Sequence, residues 1–155
     1  HGGYGDSVFR GGTLNVPGIV GMAEAAVLMY KRRHEYQKKT AMLTNYFLKG
    51  LKGRIDGVQV NGHSAKRLSN TLNISFKGIN SQILLAHLDY YGICVSQGAA
   101  CSAKDFMGSH VIGAMGFPLS RVQGAIRFSL GLGTQKRDID YTLGVLEKVV
   151  RKLRK

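Results

Sequence analysis

The stretch TLNISF at residues 71–76 decides the fold, because apolar and polar residues alternate along it without a break. A period of two is typical of a β-strand with one face on a core, and it brings the three apolar side chains together. Residues 125–130 repeat the pattern, and residues 58–60 form a third short strand before an Asn61-Gly62 turn signal. The sequence therefore predicts a small sheet.

A long segment before these strands has helical periodicity instead. From Gly18 to about Leu51, apolar residues recur every three or four positions on both sides of a charged middle. The pattern predicts one long helix that ends near Gly50 or Gly53, where a glycine can terminate it. The helix is longer than most helices in globular proteins, so we expect it to bridge two bodies.

Shorter elements fill the rest of the chain. One helix is expected to begin with Ser81 as its cap and to end at Gly92, followed by a short strand at residues 93–96. Another short helix starts at Ser109, and Thr134 is expected to cap the last helix. A small sheet packed by helices accounts for every element, which places the chain in the α/β class, as a small α+β domain.

Composition restricts the possible functions. The chain has 155 residues and a net charge of +13, and its Lys and Arg residues cluster at residues 31–39 and 148–155. Both clusters lie on predicted helices, so we favour a solvated charged face over a nucleic-acid site and expect no nucleic-acid partner. No apolar stretch is long enough to span a membrane, no apolar leader is visible, and two cysteines are too few for a disulfide framework. We therefore expect a cytoplasmic protein.

Cys101 is the candidate nucleophile. It follows the small-residue loop SQGAA at residues 96–100, where nothing bulky restrains it, and a reactive thiolate needs access. An ordinary surface loop with a spare cysteine is the alternative. Cys94 lies in an apolar run and is expected to behave as a small hydrophobe. The two cysteines and the scattered histidines lack zinc-ligand spacing, so no metal site is predicted.

Two further groups are suited to anions. Arg127 lies mid-strand between Ile126 and Phe128, so its guanidinium leaves the apolar face and can bind a carboxylate through two hydrogen bonds. An exposed arginine on the wet face is the alternative. The glycines of the segment RGGT at residues 10–13 let backbone N–H groups converge beside the Thr13 hydroxyl, a plausible phosphate site. A plain turn that leads into a helix with Pro17 at its first position is the alternative.

Several motifs occur in one order: HGG at residues 1–3, RGGTLNVPGIVG at 10–21, VSQGAACS at 95–102, SHV at 109–111 and IRFSLG at 126–131, followed by DIDYT at 138–142. In this order they resemble the C-terminal portion of NifS/IscS-type cysteine desulfurases, which are pyridoxal-phosphate (PLP) enzymes of the aspartate-aminotransferase fold, fold type I. The match spans essentially the whole chain. It implies a mainly antiparallel small domain with a bridging helix.

The resemblance also implies roles for individual residues. Cys101 matches the loop cysteine that takes the sulfur of L-cysteine as a persulfide and leaves L-alanine. Arg127 matches the arginine that grips the substrate carboxylate, and Thr13 matches the threonine that reaches the PLP phosphate of the neighbouring subunit in a homodimer. The loop departs from the usual Ser-Ser-Gly-Ser-Ala-Cys pattern, and Gly11 replaces a usual Ser.

The family's PLP-binding lysine matches no position of this chain. The resemblance therefore implies that residues 1–17 are a remnant loop of the large PLP domain and that residues 18–155 form the small domain with the bridging helix. We expect the isolated piece to be inactive. The implied sulfur acceptors are iron–sulfur scaffolds or tRNA-thiolation proteins. A stand-alone sulfur-relay module and a basic nucleic-acid-binding domain are the alternatives.

Overall fold

The structure is a computed structural model that describes residues 12–98 and 109–154. The chain divides into two compact units, residues 1–36 and residues 37–155. In chain order, the described elements are α1 (Val16–Arg54), β1 (Val58–Asn61), β2 (Thr71–Phe76), α2 (Ser81–Tyr90), α3 (His110–Ala114), α4 (Leu119–Gln123), β3 (Ala125–Ser129) and α5 (Lys136–Leu153).

The three predicted strands form one antiparallel sheet in the order β1-β2-β3. β2 is central, and Ile74 pairs with Val60 on one side and with Ile126 on the other. Directly opposed residues of an antiparallel pair point to the same face, so the apolar residues of all three strands share one face. The predicted fold class and the antiparallel sheet are confirmed.

Helices of residues 37–155 cover that apolar face. The buried core joins the strands to α1, α2 and α5 through a set of almost fully enclosed side chains: Phe47, Leu51, Leu72, Ile74, Phe76, Leu84, Leu88, Ile126, Leu143, Leu146 and Val150. The rings of Phe47 and Phe128 meet edge to face with centroids 5.0 Å apart, a favoured geometry for aromatic pairs. The alternation in the strands and the periodicity of the helices therefore meet in one core.

The predicted long helix is confirmed as one continuous element, α1, which runs slightly beyond the expected range at both ends. From Thr40 onward its inward residues are buried, including Leu43 and Phe47. In the other unit, the described residues 12–35 are all exposed, and they include apolar side chains such as Met22 and Leu28. Helical period alone does not reveal this difference, because both halves carry apolar residues at helical spacing.

Two expectations for residues 93–96 are wrong. Residues 93–96 form no strand: only Ser96 pairs with the sheet, through an isolated bridge to Arg127. Because Ile93 and Val95 pack partly against the core, Cys94 between them points outward and is exposed rather than buried.

The two helix caps are each displaced by one residue. Asn80 rather than Ser81 caps α2, because its carboxamide accepts hydrogen bonds from the backbone N–H groups of the next turn, while Ser81 is buried in the helix. Thr134 accepts a hydrogen bond from the backbone of Gly131, and α5 begins after Gln135. The cap at Ser109 is confirmed, and α4 has no counterpart among the predictions.

Candidate functional site

Arg127 lies in the middle of β3 with its side chain on the face opposite the core. Its neighbours Ile126 and Phe128 are buried on the core side, whereas Arg127 itself is half-buried. Its Nε atom is enclosed and has no hydrogen-bond partner among the described residues. The prediction that the Arg127 side chain leaves the apolar face is confirmed, and the residue is half-buried rather than exposed. A buried N–H without an acceptor is costly, so the group is suited to receive one.

Polar residues form a row across the sheet at the level of Arg127. Asn61 of β1 pairs with Asn73 of β2, Asn73 pairs with Arg127, and Arg127 pairs with Ser96 beyond the edge of β3. Opposed residues share a face, so all four side chains leave the sheet on the side away from the core. We call Asn61, Asn73, Arg127 and Ser96 the polar row.

A hydrogen-bond network fixes one end of the polar row. Arg121, on α4, donates from Nε to Asn61 Oδ1 at 2.8 Å and from Nη2 to the Val60 carbonyl at 2.7 Å. Asn61 Nδ2 donates to Asn73 Oδ1 at 2.8 Å and to Ser75 Oγ at 2.7 Å, and Ser75 Oγ donates to the Arg121 carbonyl at 2.7 Å. The guanidinium of Arg121 also lies 3.6 Å from the centroid of the Phe117 ring. α4 is thereby held against the polar face of the sheet.

The other end of the polar row leads into the cysteine loop. Ser96 exchanges two backbone hydrogen bonds with Arg127, at 3.1 and 2.8 Å. Gly98 has a positive φ of 73°, and a Cβ added to it would lie 3.5 Å from the Ser109 Cα, an ordinary van der Waals distance. Gly98 and Ser109, the described residues on either side of residues 99–108, therefore lie next to each other. Cys101, the predicted nucleophile, lies outside the described residues.

Thr13 lies in the unit of residues 1–36 and precedes α1. Gly12 before it has a positive φ of 95°, and the Thr13 side chain is exposed. The backbone N–H of Gly18 donates to Asn15 Oδ1 at 3.2 Å, which satisfies one amide of the first helical turn. An exposed hydroxyl beside a helix N-terminus is suited to an anion such as a phosphate, since free amides and the helix dipole favour negative charge there.

A separate charged cluster lies on α5. Asp140 accepts hydrogen bonds from Lys136 Nζ at 2.7 Å and from the Tyr46 hydroxyl at 2.5 Å. The Lys136 ammonium, followed by the Tyr46 hydroxyl, holds the pKa of the Asp140 carboxyl below its usual value. The same carboxylate raises the pKa of Lys136. This cluster joins α5 to α1 and includes no member of the polar row.

Some of the basic residues near the C-terminus have structural partners. Arg154 donates to the carbonyls of Asp56 and Lys77, and the Lys148 ammonium lies 5.4 Å from the centroid of the Tyr91 ring. Part of the positive charge near the C-terminus therefore belongs to side chains that make contacts within the fold. Across residues 12–98 and 109–154, no cluster of His, Cys, Asp or Glu could hold a metal ion. Within the same ranges, no helix is long and apolar enough to cross a membrane.

Comparison with known proteins decides the family. The family model for class-V aminotransferases matches residues 4–142 of the chain. The chain belongs to the class-V aminotransferase family. Among its class-V relatives, the cysteine desulfurase IscS of Dictyoglomus turgidum is 41% identical over 154 residues, and cysteine desulfurase 2 of Trichormus variabilis is 40% identical over 153 residues. Each alignment covers 99% of this chain, so the resemblance inferred from the motifs is confirmed.

Solved structures agree with this assignment. A NifS-like protein superposes with a TM-score of 0.80 at 34% identity, over 92% of this chain and 35% of that protein. The NifS-like protein of Rickettsia africae has the same TM-score at 29% identity, over 92% of this chain and 36% of its own. The chain spans 39% and 38% of the length of the two curated relatives named above. It therefore corresponds to part of a class-V protein.

Sequence reasoning found Arg127 but missed the residues around it. In the sequence, Asn61 belongs to a predicted turn signal, and Asn73 and Ser75 form the polar half of a predicted alternating strand. Their partner Arg121 lies on a helix of five residues, too short to show a period. The alternation at residues 71–76 did contain a signal, since three polar residues in a row on one face of a central strand need partners.

Proposed function

We propose that this chain is the C-terminal part of a PLP-dependent cysteine desulfurase that converts L-cysteine to L-alanine and forms a persulfide on Cys101. The polar row supports this proposal, because its arginine offers a buried donor on the face away from the core. The names of the relatives point to the same activity. Residues 1–17 would belong to the large PLP domain and residues 18–155 to the small domain.

The enclosed and unpartnered Nε of Arg127 is the observation that carries the proposal. A guanidinium presents its donors as a planar fork that matches the two oxygens of a carboxylate. L-cysteine carries one carboxylate, and its binding would satisfy the buried donor. Because β3 is paired on both sides at this level, with Asn73 and with Ser96, the arginine backbone is fixed before substrate arrives.

Thr13 is the residue we assign to the cofactor phosphate. Its exposed hydroxyl and the N-terminus of α1 fit a phosphate group. By the family resemblance, this hydroxyl would contact the phosphate of the PLP bound in the neighbouring subunit of a homodimer. When bound, PLP supplies the electron sink that allows the carbon–sulfur bond of the substrate to break. The lysine that would carry PLP belongs to the large domain.

Cys101 is the residue we assign to sulfur transfer. Its thiolate attacks the substrate sulfur, a new sulfur–sulfur bond forms on Cys101, the substrate carbon–sulfur bond breaks, and a proton is added to that carbon to give alanine. Cys101 lies five positions after Ser96, which is paired with Arg127, and a chain of five steps reaches at most about 18 Å. The Cys101 thiol is therefore tethered close enough to reach a substrate whose carboxylate is bound at Arg127.

The persulfide would pass to a sulfur acceptor, either an iron–sulfur cluster scaffold or a tRNA-thiolation protein. Free thiols persist in reducing compartments, so we place the enzyme in the cytoplasm. We propose a homodimer as the working form, since Thr13 is assigned to the partner's cofactor. The 155-residue piece alone is expected to release no alanine from cysteine.

The test uses the full-length protein that contains this chain. Arg127→Lys keeps the charge but loses the planar fork, so KM for L-cysteine is expected to rise by about 10- to 100-fold. Cys101→Ser removes the nucleophile and is expected to abolish alanine release and persulfide labelling while leaving the affinity for L-alanine unchanged. Normal KM in the first variant, together with normal persulfide labelling in the second, would reject the proposal.

A further inference from the structure

Asn73 is the neighbour of Arg127 on the central strand, and the network around it controls which of its atoms face the site. Asn73 lies between Asn61 of β1 and Arg127 of β3, and its side chain leaves the same face as both. It is half-buried, as Arg127 is. Asn73 is therefore a direct neighbour of Arg127 on the face of the sheet away from the core.

The direction of every hydrogen bond in the network follows from Arg121. A guanidinium can only donate, so Asn61 must present its carbonyl oxygen to Arg121 Nε. The amide nitrogen of Asn61 then faces the other way and donates to Asn73 Oδ1. Asn73 consequently uses its carbonyl oxygen toward β1. The orientations of the Asn61 and Asn73 amides are therefore set by Arg121, because its guanidinium can donate hydrogen bonds but cannot accept them.

The two groups of the Asn73 carboxamide point in different directions because the amide is planar. With Oδ1 turned toward β1, Nδ2 faces away from β1, on the side where β3 and Arg127 lie. Among the described residues, the Asn73 side chain hydrogen-bonds only through Oδ1, and its Nδ2 has no acceptor. Two groups that can only donate in this arrangement, Asn73 Nδ2 and the Arg127 guanidinium, therefore stand side by side on one face of the sheet.

We propose that Asn73 donates a second hydrogen bond to the anionic group that Arg127 binds, which makes it a specificity residue for the substrate carboxylate. This inference rests on the proposed function, because the carboxylate is that of L-cysteine. An acceptor at position 73 would instead pair with Arg127 and compete with substrate. The network from Arg121 through Asn61 prevents this outcome by holding the carboxamide in its donor orientation.

The decisive variant is Asn73→Asp in the full-length protein. Aspartate has the shape of asparagine and still accepts the hydrogen bond from Asn61, so a purely structural role predicts no change. A donor role predicts a large change, because the new carboxylate offers no N–H and pairs with Arg127. Thr71→Val, two positions earlier on the same strand face, is the matched control.

The measurement is a pair of dissociation constants, for L-alanine and for ethylamine, which is L-alanine without its carboxylate. Asn73→Asp is expected to weaken L-alanine binding by about 10- to 100-fold and to leave ethylamine binding unchanged. Thr71→Val is expected to change neither. The ratio of the two constants is unaffected if part of the protein is unfolded, and Asn73→Ala, which removes the donor without adding a charge, must shift the ratio in the same direction.

The outcomes separate this inference from the proposed function. An unchanged ratio in Asn73→Asp, alongside a shifted ratio in Arg127→Lys, overturns the role of Asn73 and retains the carboxylate site at Arg127. An unchanged ratio in both variants overturns both. An equal fall in affinity for L-alanine and ethylamine in Asn73→Asp also overturns the inference. Such a loss does not depend on the carboxylate and is a packing effect.

Discussion

The two faces of the three-stranded sheet differ in how completely their groups are satisfied. On one face, Leu72, Ile74 and Ile126 are fully buried against three helices. On the other, Arg121 donates to Asn61, Asn61 donates to the Asn73 carbonyl oxygen, and next to them Arg127 has a buried donor without a partner among the described residues. Burial of apolar surface stabilises the first face. The second carries a buried donor that is costly to leave unpaired, and this is the group that we propose to bind a carboxylate.

The comparison teaches that a residue of the core and a residue of the proposed site can be adjacent in one strand. Ile126 and Arg127 are neighbours in sequence, but the first is buried in the core and the second lies on the face of the proposed site. A one-residue register shift would exchange the two faces. Substitutions on the two faces should therefore have different signatures.

The largest effect is expected from the apolar face. Phe128→Ala removes a ring that is 5% exposed and packed against Phe47, so the free energy of unfolding should fall by about 3–5 kcal/mol. Denaturant titration measures it. Leu68→Ala, at a residue 72% exposed, is the control and should change the free energy by about 0.5 kcal/mol or less. Equal losses in the two variants would contradict the assignment of the core.

A smaller loss is expected from the network that supports the polar face. Arg121→Met keeps much of the side-chain length but leaves buried Asn61 and the Val60 carbonyl without their donor. The free energy of unfolding should fall by about 1–3 kcal/mol, the usual cost of an unsatisfied buried polar group. Thermal unfolding provides the measurement. An unaltered melting temperature would show that the network does not hold α4.

The start of β3 offers a comparison of opposite signs. A Cβ at Gly124 would lie 2.7 Å from the Phe76 carbonyl oxygen, so Gly124→Ala should destabilise the protein by about 1–3 kcal/mol. Gly144, in the middle of α5, has no atom within 4 Å of its added Cβ. Gly144→Ala should stabilise by about 0.5–1 kcal/mol, because alanine favours the helix. The same sign for both variants would refute the close approach at Gly124.

Arg127 itself should matter little for stability. Arg127→Met removes the unpartnered buried donor, and the melting temperature should stay the same or rise slightly. The same variant should lose affinity for L-alanine, which calorimetry on the full-length protein would measure. A clear fall in melting temperature would mean that Arg127 serves the fold rather than a ligand.

The smallest effect is a pH dependence outside both faces. Hydrogen bonds from Lys136 and then Tyr46 lower the folded-state pKa of Asp140, so this carboxylate stabilises the fold above its unfolded-state pKa of about 4. That contribution is lost as the pH falls through the lowered folded-state pKa. Asp140→Asn should therefore be less stable than the original protein at neutral pH, with the gap closing in acid. A difference in stability between the two proteins that grows as the pH falls would contradict this role of Asp140.

Sequence alone predicted the features that depend on periodicity. The alternation at residues 71–76 and the period of α1 set the sheet, the long helix and the direction of the Arg127 side chain. Features that depend on partners distant in the chain were missed. Asn80 and Ser81 are both good cap residues, so sequence does not decide between them. The bonds from Arg121 to Asn61 join residues 60 positions apart, and only the register of β1 on β2 reveals them.

The central claim is that the guanidinium of Arg127 binds the substrate carboxylate. A crystal structure of the full-length protein with L-alanine bound tests it most directly. The account predicts carboxylate oxygens about 3 Å from Arg127 Nε and from its neighbouring guanidinium nitrogen, on the face of the sheet away from the core. A carboxylate bound elsewhere, with Arg127 Nε still without an acceptor, would contradict it.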